Sequence, residues 1–396
     1  MAGQLAKRYR RGTHRSVPPE ETWQLVAPLL RAYGITRVAD VTGLDVIGIP
    51  VFQAIRPRSR SLSVSQGKGL TPILARVSAV MEAIELHHAE RVPAGQRRTW
   101  REIRERGLLT YRPEGLQATR RSLLSLAGPD LVFEWVPGRT LVTGRPTMVP
   151  ADWVRLDGRV RREWTHHPFA PSTNGLASGN STAEAALHAL YEVIERDAVA
   201  RLTTLPRAER PRLDLSSVDD PDCAELLDRF GAAGVSVTAF DATWSPGEGG
   251  SGVPCYHVSV WSPDLPVVVP GSGCHGAPEV ALARALTEAA QGRLTVISGS
   301  RDDLSDRLYA LQADPAKGAP RPVPSLRTVP FRRRETGHDL AEELRTVAAD
   351  VTVLTGTEPV LVELGRPAAG PAVVKVLAPG LDFYARDAVA RELSHA

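Results

Sequence analysis

The chain has 396 residues, 42% of them apolar and 23% charged, with a net charge of +3. That is the composition of a folded protein long enough to bury a large core, as one large domain or two to three lobes. The small charge, with basic clusters only in RYRR near the N-terminus and RRR at 332–334, argues against nucleic acid as a partner. Cys223, Cys255 and Cys274 are widely separated with no C-x-x-C pair, which supports neither a zinc site nor a disulfide framework and fits a reducing cytoplasm. The basic start MAGQLAKRYRRGTHRS has no apolar run behind it, and no stretch approaches the roughly 18 apolar residues of a membrane span. A soluble cytoplasmic protein is expected.

In chain order, a basic arm leads to Pro18 and Pro19, which predict a helix over 19–33 closed by Gly34. ITRVADVTGLDVIGIPVFQAIRP reads as two short strands around a turn. SRSLSVSQGKGLTP reads as a strand ending in a Gly-Lys-Gly turn, with Thr71 as N-cap and Pro72 at the first helical position. Residues 92–130 read as short surface helices, and LVFEWVPGRTLVTGRPTMVPADWV as a hairpin turning at Pro137-Gly138. Ser178-Gly179-Asn180 leads into another helix, and prolines at 206–212 separate it from a helix at about 222–233 and a strand from Val235. HVSVWS and LPVVVP are strand candidates, and the glycine-rich GSGCHG precedes a further helix. The C-terminal third adds one or two strands and a short terminal helix. Segments 244–254 and 313–335, rich in Gly, Pro and Arg, are the candidate mobile loops.

Three of these helices carry one polar stripe. Ser78, Glu82 and Glu85 stand at i, i+4 and i+7, as do His188, Glu192 and Glu195, and Arg284, Glu288 and Gln291. Positions three and four apart share a helical face, so each helix shows a short polar row among apolar neighbours. Glu82 and Glu192 lie 110 positions apart, an internal repeat of strand, glycine turn and striped helix. Buried carboxylates are costly unless something cationic meets them, so the two E-x-x-E pairs point to bound metal or to arginines opposite.

Simpler readings compete at each residue. Ser181 and Glu184 have capping-box spacing, which alone accounts for Glu184. Asn180 reads as a turn residue, Arg196 as a surface partner of Asp197 or Glu192, and His87 and His88 as an exposed helix end. An isolated E-x-x-E pair is more often a solvated face, but the flanks here are almost wholly apolar. The functional reading is Mg2+ and a polyphosphate: hard cations take carboxylate and phosphate oxygens, and a nucleotide triphosphate approaches carboxylates only with metal between them. Arg284, Arg293, Arg301 and Lys68 are then candidates to neutralise phosphate, and the backbone N–H groups at 67–69 and 178–180 are suitable anion contacts. There is no G-x-x-x-x-G-K-[ST], no kinase-like G-x-G-x-x-G with its partner motifs and no G-x-S-x-G, which disfavours a P-loop or protein-kinase fold. Cys274-His275 as a nucleophile pair lacks an identifiable orienting group.

The segments SQGKGLTPILARVSAVMEAIE, STNGLASGNSTAEAALHALYEVIERDA and ALARALTEAAQGRLTVISGSRDD resemble, in order and spacing, the three ATP-binding motifs of the YcaO superfamily. GTHRSVPPEETW, ITRVADVTGLDVIGIPVFQAIRP and VKVLAPGLD also look like its TfuA-associated branch. The resemblance implies an α/β, YcaO-like fold with pseudo-repeated strand-turn-helix units around a central ATP site. It implies an enzyme that uses ATP and Mg2+ to phosphorylate a peptide backbone amide, giving a thioamide with sulfide, an azoline with a side-chain nucleophile or a macroamidine with an amine. It implies that Glu82, Glu85, Glu184, Glu192 and Glu195 are the Mg-ATP carboxylates, with Asn180 matching the family's asparagine. Gln291 and Arg293 match its Q-x-R element, and Ser78, Lys68 and Arg284 join the nucleotide ligands. Glu82, Glu195 and Arg293 are the expected catalytic set.

Two departures matter. Ala177 stands where some relatives have a serine, and the end ARELSHA differs from the proline-rich tail of azoline-forming relatives, which favours the thioamide. The expected organisation is an N-terminal arm and small α/β subdomain over 1–62 and a catalytic domain over 63–396, forming one continuous domain overall, with no fused leader-binding domain. The expected partners are a TfuA-like protein that delivers sulfur and a precursor peptide, and a homodimer stays open. The first two striped helices are expected to bring Glu82, Glu85, Glu192 and Glu195 to one cavity. A non-catalytic peptide-binding scaffold is the competing class, though it would have no need for the full carboxylate set.

Overall fold

The computed structural model describes residues 5–110, 128–157, 172–301, 303–304, 327–365 and 370–381. The terminal helix and ARELSHA tail, and most of the loop at 313–335, fall outside the described residues. Each striped segment forms a helix directly after a strand. In chain order, helix α1 (Pro19–Val26) and strands β1 (Arg37–Asp40), β2 (Val51–Ile55) and β3 (Val64–Lys68) precede the first striped helix, α2 (Pro72–Ala89). Strand β4 (Gln96–Thr99), helix α3 (Trp100–Glu105) and strands β5 (Leu109–Thr110), β6 (Val132–Thr140), β7 (Pro146–Pro150) and β8 (Leu176–Gly179) lead to the second, α4 (Thr182–Thr204). Strand β9 (Arg212–Asp214), helix α5 (Pro221–Ala232) and strands β10 (Ser236–Asp241), β11 (Cys255–Trp261) and β12 (Val269–Cys274) lead to the third, α6 (Pro278–Ser298). Strand β13 (Thr328–Pro330), helix α7 (Leu340–Thr355) and strands β14 (Val360–Gly365) and β15 (Ala372–Leu377) follow. The class is mixed α/β, as expected, and no helix among the described residues is long and apolar enough to cross a membrane.

The chain divides into two compact units. The first draws on the described residues of Ile84–Ala200 and Leu340–Ala396, the second on those of Leu5–Ala83 and Arg201–Asp339. No division falls at residue 62; the crossings lie inside α2 and α4, so Glu82 counts with the second unit and Glu85 with the first. The first unit holds one seven-stranded sheet in the order β5-β7-β6-β14-β15-β8, with β4 also on β6. The second unit holds a three-stranded sheet, β1-β2-β3, and a five-stranded sheet, β12-β11-β10-β9-β13. Its core joins Val258 and Val260 of β11, Leu226 and Phe230 of α5, and Leu282 and Leu286 of α6. Helix α5 forms there because Asp220 caps it, accepting the Cys223 N–H, and Cys223, Leu226 and Phe230 line its one buried face.

Two local expectations are corrected. The hairpin of β6 and β7 does not turn at Pro137-Gly138: β6 runs through both, with Pro137 opposite Met148. On its other edge β4 covers 132–135 and β14 covers 139–140, so Pro137 falls in the gap where no ladder N–H is needed. The turn lies at 141–145, closed by Thr140 N–H to the Arg145 carbonyl at 3.0 Å and by Gly144 at φ 68°. Likewise GSGC is strand β12 itself. A Cβ on Gly273 would overlap the backbone of Ala281 and Ala285, so only glycine lets α6 lie this close to the strand. Gly67 meets Ala75 and Ala79 of α2 in the same way, 206 positions earlier.

Three smaller differences have plain causes. The first helix ends at Val26 and tightens into a 3-10 turn over Ala27–Leu29. The 92–130 region contains strands β4 and β5 beside α3. The 244–254 loop is tied down: Arg201 donates to the carbonyls of Gly249 and Glu248 at 2.6 and 2.5 Å and lies 4.4 Å over the Trp244 ring.

Candidate functional site

In the second unit the stripes of α2 and α6 meet β3. Glu82 Oε2 accepts the Gln66 N–H at 3.2 Å. Glu288, its counterpart 206 positions on, accepts the Ser272 N–H of β12 at 3.4 Å. Lys68 donates to Glu288 at 2.7 Å with the two side chains 20% and 29% exposed. Gln291 donates to the Gln66 carbonyl at 3.4 Å, and the Thr295 hydroxyl donates to Gln66 Oε1. The structure therefore brings Lys68, Glu82, Glu288 and Gln291 into one network through β3. Arg284 Nε, one turn before Glu288, is buried and has no hydrogen-bond partner among the described residues, the state of a donor that a bound anion would satisfy. Ser78 is half-buried on the same helix as Glu82.

Arg293 departs from its expected place. It is 1% exposed, holds Asp45 through two nitrogens at 3.0 and 3.1 Å, and donates to Ser262 Oγ at 2.6 Å. A guanidinium so engaged supports the fold around the network and is not offered to phosphate. Arg301 is likewise occupied, at 2.6 Å from Asp303. Cys274 is buried opposite Cys255 of β11, and His275 Nδ1 accepts the Ala277 N–H, so the pair forms no nucleophile–base contact.

In the first unit β8 and α4 assemble the second group. Ser181 Oγ accepts the Glu184 N–H at 3.2 Å, and the Glu184 carboxylate turns back to Asn180, accepting its backbone N–H at 3.2 Å and its Nδ2 at 3.0 Å. Helix capping thus holds Glu184 and Asn180 together. Ser178 Oγ donates to Glu85 Oε1 at 2.6 Å. Glu195 is buried at 3% exposure, while Glu192 lies 3.6 Å from Arg196 at the i, i+4 spacing. One residue not singled out in the sequence completes the group. Lys375 of β15 is 1% exposed, donates to the Ser172 carbonyl, and is pushed down to about 8 by burial, an effect the nearby Glu192 carboxylate opposes. A lone lysine in the apolar run AVVKVLAP was the available signal.

Among the described residues no three acidic, His or Cys side chains gather closely enough to hold a metal alone. Mg2+ needs no such cage, since it takes one or two carboxylates and draws its other ligands from water and phosphate. The acidic oxygens here suit that hard ion.

The sequence profile described as "YcaO cyclodehydratase, ATP- and Mg2+-binding" matches residues 66–382. The chain belongs to the YcaO family. Its cofactors are accordingly ATP and Mg2+, and ATP-dependent peptide modification is the family's class of activity. YcaO from Methanopyrus kandleri, bound with AMPPCP and Mg2+, is similar at 26% identity and a TM-score of 0.68 over 95% of both chains. A heterocyclase in complex with substrate and cofactor shares the YcaO fold at a TM-score of 0.74 and 23% identity, covering 97% of this chain and 54% of that one, so this chain spans about half its length. An uncharacterised Mycobacterium tuberculosis protein is 40% identical over 94% of this chain and 83% of its own. An uncharacterised protein in the tfuA 3' region of Rhizobium leguminosarum bv. trifolii is 37% identical over 93% of this chain and 88% of its own.

Proposed function

We propose that this YcaO protein uses Mg-ATP to activate a backbone amide of a peptide, and that the product is a thioamide made with a TfuA-like partner supplying sulfide. The observation that carries the reading is the set of carboxylates on α2 and α4, of which Glu82, Glu85 and Glu184 already accept strand or cap donors, while Glu195 is buried and Glu192 lies near Arg196. Sulfide adds to the amide carbon, the carbonyl oxygen takes the γ-phosphoryl group of ATP, and phosphate leaves with that oxygen while sulfur stays. Glu82, Glu85, Glu184, Glu192 and Glu195 would hold Mg2+, whose charge would neutralise phosphate. Asn180, Ser78 and Gln291 would orient the nucleotide, Lys68 and Arg284 would meet phosphate charge, and Arg293 takes a positioning role through Asp45. The thioamide is supported by the TfuA-like motifs and by the relative from a tfuA 3' region.

Glu192→Gln and Glu195→Gln should each lower Mg-dependent ATP turnover in the presence of peptide by about 100-fold or more, with unchanged melting. Retained turnover would remove the metal role. A calorimetric titration that detects no Mg-ATP binding to the wild type would favour a non-catalytic scaffold.

A further inference from the structure

The three-stranded sheet of the second unit ends at β1, whose outer edge pairs with no strand among the described residues. Val41 N–H donates to the Val51 carbonyl at 3.1 Å, and the register sets Arg37 opposite Ile55. Inward-bonded positions therefore alternate as 37, 39 and 41, and the backbone N–H and C=O of Val38 and Asp40 face the open edge. A cavity of about 230 Å3 opens beside this edge, lined by Trp23, Leu30, Thr36, Arg37, Val38 and Arg76. The Arg76 guanidinium lies 5.3 Å from the Trp23 ring centroid and 5.2 Å from that of Phe52. A guanidinium held near two rings still has five N–H donors to offer an acceptor. Among the described residues, no carboxylate and no hydrogen-bond acceptor meets them. Arg37 adds a second, exposed positive charge.

We propose that the β1 edge and the Arg76 cavity dock an extended acidic segment of the peptide substrate as a fourth strand, with a side-chain carboxylate seated on Arg76. The strand edge supplies backbone pairing and the cavity reads every second side chain. Charge complementarity selects the occupant, because two arginines with no acidic partner favour a carboxylate. The inference rests on the reading of this chain as a peptide-modifying enzyme, but it concerns docking and is independent of the product.

The test titrates the full chain into a short fluorescein-labelled peptide of alternating valine and glutamate, read by anisotropy, beside the same peptide with glutamine for glutamate. Saturable binding of the glutamate peptide is expected, weakened by about tenfold with the glutamine peptide and with Arg76→Met, which keeps the stem beside the rings. Val38→Pro should weaken it similarly, since an outward-facing edge position accepts proline without breaking the inner ladder. Both variants should keep wild-type melting and wild-type Mg-ATP binding by calorimetry. No saturable binding by the wild type, or equal binding by the glutamine peptide or either variant, overturns the proposal. So does a wild-type dimer that Val38→Pro dissociates, since the edge would then serve a second copy. Intact peptide binding without any ATP turnover would count against the proposed function and leave the docking site standing.

Discussion

His14 and His275 stand ring against ring, centroids 4.7 Å apart at 84°, and each is 7% exposed. Burial pushes His14 down to about 3, with Lys7, Arg10 and Arg15 adding to the effect. His275 is held well below its ordinary value by burial first and by His14, Lys7 and Arg284 after it. Both rings are therefore neutral in the folded chain at pH 7. The unfolded imidazole takes its proton near 6.5, so between 6.5 and about 3 the unfolded state binds more protons. Stability is full above that window and falls as pH drops through it. At pH 5 the loss from His14 alone should be about 2 kcal/mol relative to pH 7. His14→Gln should flatten the fall of the urea midpoint between those pH values; an unchanged slope would show that His14 is protonated in the fold. At this scale the carboxylates were legible, because Glu82, Glu192 and Glu195 interrupt apolar helices. Lys375 was not, because only the pairing of β15 with β8 brings it within reach of Glu192. The engagement of Arg293 was hidden for the same reason: its partner Asp45 lies 248 positions away and no local pattern announces it.

The recurrent element is a strand and helix packed backbone to backbone, and strand glycines such as Gly67, Gly179, Gly271 and Gly273 set that distance. Gly67→Ala would drive a methyl group into the Ala79 N–H and Ala75 carbonyl of α2, and Gly273→Ala would do the same to α6. Neither neighbour is a flexible side chain, so the helix must shift, at about 1 to 3 kcal/mol each. Gly231 is the control: it lies within α5 with nothing near a new Cβ, and Gly231→Ala should stabilise by about 0.5 to 1 kcal/mol. Denaturant midpoints of the three variants check the contrast, and a tolerated Gly67→Ala would mean that the packing is looser than it stands. The striped helices themselves were legible from periodicity. The glycine-rich strand β12 was read as a turn because glycine signals both turns and close approach, and sequence alone does not separate the two. The Pro137-Gly138 turn failed similarly, since the gap between β4 and β14 that tolerates Pro137 is a property of the sheet.

At the scale of the whole molecule, an N-terminal subdomain over 1–62 was expected within one continuous domain. Contacts recruit the described residues of Leu5–Ala83 and Arg201–Asp339 to one unit, where α6 lies on β3 through Lys68–Glu288 and Gln291–Gln66. Non-local helix-on-strand contact of this kind leaves no mark in composition. The proposed chemistry is also a whole-system property, since in it the chain activates the amide and the partner delivers the sulfide. With peptide, Mg-ATP and a TfuA-like protein charged with sulfide, intact mass should rise by the difference between one sulfur and one oxygen per modified amide. Omitting the TfuA-like protein should abolish that gain. A loss of one water instead would assign the azoline or macroamidine outcome and remove the sulfur-delivery partner from the reading, while leaving ATP-driven amide activation intact. Because the two mass changes have opposite sign, one spectrum of the treated peptide separates them.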